Sequence, residues 1–86
     1  MNANEFTFGN ETINAREHTN AREAIQARKN PATICAIMIG VDGGRRVAYL
    51  TLARGDAERL EAAGIGFAYL SYNQASGRIM SVPVNE

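Results

Sequence analysis

The stretch TICAIMIGVDGGRRVAYLTLA, Thr33 to Ala53, decides the fold. Its first half is rich in β-branched residues, which suit a strand. Both alternating sets are apolar: Cys35, Ile37, Ile39 and Val41 in one, Ile34, Ala36 and Met38 in the other. A strand of this kind is central and covered on both faces. Asp42-Gly43-Gly44 tolerates the left-handed backbone that a hairpin turn needs. The second half returns as a strand, with Ala48, Leu50 and Leu52 on one face and Val47, Tyr49 and Thr51 on the other. One antiparallel hairpin therefore forms the centre of a sheet.

Upstream, EFTFGNETINA alternates through Phe6 and Phe8, and Gly9-Asn10 makes a two-residue turn. A short strand is expected, with a small hairpin returning through Thr12 and Ile13. Next, NARE occurs twice, at Asn14–Glu17 and Asn20–Glu23. Each copy has the Asn-x-x-Glu spacing of a capping box. The second is followed by a helical pattern that Pro31 stops, which predicts a helix from Asn20 to Lys29. The first copy reads as an earlier start of that helix or a turn before it. Six residues turn a helix by about 600°, so the two copies share no face and make no helical binding repeat.

Downstream, GDAERLEAAG predicts a second helix, with Asp56 as cap or first-turn acid and Gly64 in the left-handed position after its end. GFAYLSY and RIMSVPV read as strands joined by the loop NQASG. Pro83 places the last strand at a sheet edge. The expected fold is α+β, with a small antiparallel, hairpin-rich sheet of four to five strands and two short helices packed on one face. It forms a single domain over residues 1–86: an N-terminal strand or hairpin and turn (1–19), then an α-β-β-α-β-β body (20–86).

Composition narrows function by exclusion. Nine basic and nine acidic side chains give zero net charge, which rules out a dense acidic face that mimics DNA. The single cysteine, Cys35, makes no internal disulfide and points to a reducing compartment. The first residues lack the basic and apolar segments of a secretory signal, and no apolar run approaches membrane-spanning length. A soluble cytoplasmic protein is expected. His18 is the only histidine, no metal-ligand spacing occurs, and Asp42 and Asp56 suit turn and cap. The sequence thus predicts no catalytic residue, metal or cofactor.

IGFAYLSY, Ile65 to Tyr72, resembles the RNP1 octamer of RNA-recognition motifs. Gly66, Phe67, Ala68, Tyr69, Leu70 and Tyr72 match its pattern, and Ile65 replaces the basic residue. The element order departs from that family, where a helix and a further strand follow the octamer. The resemblance implies single-stranded RNA binding, with Phe67 and Tyr69 stacking bases and Arg45, Arg46 and Arg78 contacting phosphates. The Gly-x-Gly of Gly64–Gly66 lies between helix and strand, opposite to a dinucleotide fingerprint.

The preferred expectation is a non-enzymatic protein-binding module. Leu50, Leu52, Leu70, Met80, Val82 and Val84 are expected to form the core under the helices. Val47, Tyr49, Phe67, Tyr69 and Ile79 would then make an uncovered patch that binds a protein partner or a second copy in a homodimer. Size and catalytic emptiness offer an analogy to small phage-encoded regulators and inhibitors, anti-CRISPR proteins among them.

Overall fold

The computed structural model describes residues 4–85. They form β1 (Asn4–Phe8), β2 (Glu11–His18), α1 (Ala21–Gln26), β3 (Ile34–Val41), β4 (Arg46–Ala53), α2 (Arg54–Ala62), β5 (Phe67–Asn73) and β6 (Arg78–Val84). The fold is a small α+β domain. Its six strands make one sheet in the order β1-β2-β4-β3-β5-β6, and every neighbouring pair is antiparallel.

The central hairpin forms as the sequence dictates. β3 and β4 pair along their full length, from Ile34 opposite Ala53 to Val41 opposite Arg46. Asp42, Gly43 and Gly44 all take positive φ in the turn (55°, 69° and 86°), which explains the two glycines there. At the N-terminus, Gly9 also has positive φ, and β1 and β2 form the expected hairpin.

The two NARE copies part company. Asn20 caps α1: its Oδ1 accepts from the Glu23 N–H at 2.9 Å, and Glu23 Oε1 accepts from the Thr19 N–H at 3.3 Å. The first copy is neither turn nor helix start but lies in β2. There Ile13 and Ala15 are buried while Asn14 and Arg16 are exposed, so a period of two overrides the capping spacing. That strand extends the sheet by pairing with β4 and brings the count to six, beyond the expected four to five. α1 ends at Gln26, short of the expected Lys29.

Asp56 sits in the first turn of α2 rather than at its cap. The helix closes as the sequence predicts. Gly64 has φ of +79°, and the Ile65 N–H donates back to the Leu60 carbonyl at 3.1 Å.

Strand alternation places each helix. Ala57 and Leu60 of α2 pack with Ile13, Ala15, Cys35, Ile37, Leu50 and Leu52. Ala24 and Ile25 of α1 pack with Ala36, Leu70, Met38, Tyr49 and Tyr72. Consecutive strand residues such as Ala36 and Ile37 point to opposite faces. The expected α+β class therefore holds, with each helix packed on one face of the sheet and the two helices on opposite faces. The apolar surplus of the central hairpin is thereby buried twice, under α2 and under α1.

Candidate functional site

Register decides which nominated residues are free. Ile37 lies opposite both Leu50 and Tyr69, so Tyr69 and Phe67 share the α2 face with Leu50. Phe67 is only 1% exposed and belongs to the main core. Its ring meets Tyr69 edge-on at 5.1 Å. The expectation that Phe67 forms part of an open patch is corrected: it has no free face for a base or a partner. Tyr69 is half-buried against the same core, and burial pushes its hydroxyl pKa up. Leu70, expected beside Leu50, instead points to the α1 side.

Tyr49 is half-buried beneath α1. Val47, on the same strand face near the hairpin turn, remains 49% exposed. Arg46 reaches the Glu17 carboxylate and lies 3.5 Å from Asp42, so its guanidinium is engaged in surface ion pairs. Arg45 is exposed beside it. Arg78 and Ile79 open β6 at the opposite end of the sheet, because Arg78 pairs with Asn73 while Val84 pairs with Phe67. The three arginines thus form no common cluster with a stacking platform.

β6 offers what the nominated patch lacks. It is an edge strand, and among the described residues its one sheet neighbour is β5. α2 lies over β2, β4 and β3; Val84, at the end of β6, packs against the core beneath it, and Met80 and Val82 stay outside that core. Met80 and Val82 project on the α2 side at 45% and 53% exposure, and Ile79 on the other side at 36%. Met80 and Val82 were expected in the core, because they alternate like core residues. The missing signal is lateral: on the α2 side, a strand two places beyond β3, the last strand that α2 lies over, keeps an apolar pattern without a cover. Pro83 fits an edge, where the donor it lacks can face solvent.

His18 is a structural residue. Its Nε2 lies 2.9 Å from Thr51 Oγ1, and burial followed by the charge of Arg16 lowers its pKa, against a smaller opposing effect of Glu23. Cys35 is a buried free thiol, and burial raises its pKa, which keeps it protonated and unreactive. Among the described residues, no group of three or more His, Cys, Asp or Glu side chains is placed to hold a metal ion. Nor is any described helix long and apolar enough to cross a membrane. No protein-family model matches this chain, and neither a curated protein nor a solved structure does.

Proposed function

We propose that this protein is a non-enzymatic protein-binding module, a small cytoplasmic regulator or inhibitor that acts by adding its β6 edge to a strand of its partner. One observation carries the reading: β6 is an edge strand with apolar side chains exposed on both faces. Strand addition uses the free main-chain donors and acceptors of an edge for affinity, and the alternating side chains for specificity. Met80 and Val82 would fill apolar sites on one side of the joint sheet, and Ile79 on the other. A buried unpaired cysteine supports a reducing compartment. Phage-encoded inhibitors of host defence, such as anti-CRISPR proteins, remain an analogy of size and style.

Burial of Phe67 weakens the nucleic-acid alternative, since the RNP1-like platform has lost one of its two stacking rings. Zero net charge gives no electrostatic footprint for a phosphate backbone.

Native mass spectrometry of the tagged protein, purified gently from its natural host, tests the reading against a Met80→Lys/Val82→Lys variant. The expected result is a defined extra protein mass on the wild type that the variant loses while keeping its melting temperature. An even multiple of the chain mass, lost in the same variant, identifies the partner as a second copy. Bound nucleotide mass, or a partner retained by the variant, contradicts the assignment.

A further inference from the structure

β3 and β5 are neighbours, yet their paired positions are only Ile37 with Tyr69 and Met38 with Ala68. Towards the start of β3 the two strands part and open a cleft of about 360 Å³. Cys35 lines it from β3 and Tyr69 from β5. Arg28 follows α1, and α2 contributes Arg54, Glu58 and Glu61.

The charges in this cleft are arranged unusually. Arg54, Glu58 and Glu61 have the i, i+4, i+7 spacing of one helix face, where Arg54 and Glu58 would ordinarily pair. Arg54 does otherwise: its Nε donates to the Ala32 carbonyl at 2.9 Å and its Nη2 to the Pro31 carbonyl at 2.7 Å. This fixes the guanidinium at one end of the cleft. Among the described residues, no ion pair joins Arg28 or Arg54 to Glu58 or Glu61. Among the described residues, the Arg28 Nε is buried without a hydrogen-bond partner, an arrangement that costs free energy unless something accepts from it. Two cations and two anions thus share one small cleft without pairing to each other, beside Tyr69 of β5.

We propose that the cleft between β3 and β5 binds a small zwitterion of the α-amino-acid class, its carboxylate held by Arg28 and Arg54 and its ammonium by Glu58 and Glu61. A purely anionic ligand would meet both carboxylates, and a purely cationic one both guanidiniums. A zwitterion satisfies each pair, and charge-assisted hydrogen bonds are the strong ones. The cleft volume suits a molecule of this size with a modest side chain lying against Tyr69. This site is separate from the β6 edge and does not depend on it.

The test is a titration of the isotopically labelled full chain with each standard α-amino acid, followed by backbone amide resonances. The best binder is then compared with its decarboxylated amine and its deaminated acid. Saturable shifts at Cys35, Ala36 and Tyr69 to Ser71 are expected from at least one amino acid. Both single-charge analogues should bind about tenfold more weakly or worse. Glu58→Gln, at an exposed position, and Arg28→Gln should each weaken binding by a similar factor with the melting temperature unchanged. Absence of saturable shifts with every amino acid overturns the proposal. So does equal binding of the single-charge analogues, unaltered binding by Glu58→Gln, or shifts confined to β6.

Discussion

Phe67 shows how one side chain couples the sheet to the core beneath α2. It packs in the cluster that includes Ile37, Leu50 and Leu60, with its ring edge against Tyr69. Phe67→Ala should cost about 3–5 kcal/mol of stability, from lost burial plus the cavity left behind. Chemical denaturation measures this, and a cost under about 1 kcal/mol would show an exposed ring instead. His18 sets a pH response. Its folded pKa lies below the ordinary value of 6.5, so the unfolded chain takes up the proton first. Its contribution is fully present above about 6.5 and is lost as pH falls through the folded pKa. Melting temperature should therefore drop as pH falls below about 6.5, and His18→Gln should flatten that first decline. An identical profile in the variant would remove His18 as the cause. The packing of Phe67 could not be read from its own strand. GFAYLSY offers two apolar sets, and only the pairing of Tyr69 with Ile37 assigns them to faces.

At the scale of elements, the duplicated NARE separates local signals from tertiary ones. Asn20→Ala should destabilise the protein by about 1 kcal/mol, because the Glu23 N–H at the start of α1 loses its acceptor. Asn14→Ala, at an exposed β2 position, should change stability by less than about 0.5 kcal/mol. Equal costs for the two would mean that both copies cap helices, contrary to the fold. The hairpins, both helices, and the strands β5 and β6 were legible because turns, caps and alternation are local chemistry. β2 was not, because its Asn-x-x-Glu spacing satisfies a cap and a strand equally well. Burial of Ile13 and Ala15 beside Leu52 settles it through contacts made far along the chain. The cleft charges were equally illegible, since Arg28 and the α2 charges line one cleft only once the sheet has formed.

For the whole molecule, the placement of helices governs what remains open. With α2 and α1 on opposite faces, the central strands are covered twice and the flank at β6 is left bare. An apolar patch was foreseen from an excess of apolar residues over helical cover. Its location was legible only in part: Val47 and Ile79 were among the residues expected in it, but Met80 and Val82 read as core, because the sequence does not say which strand a short helix fails to reach. The patch lies at the edge, on Ile79, Met80 and Val82, and Val47 is exposed apart from it at the central hairpin.

Hydrogen–deuterium exchange on the complex recovered from the host, set against the isolated chain, tests this account most directly. Strand addition predicts slowed exchange across Arg78–Val84, with the α1 region and the central hairpin unchanged. Unaltered exchange in β6, with protection appearing elsewhere, would contradict it.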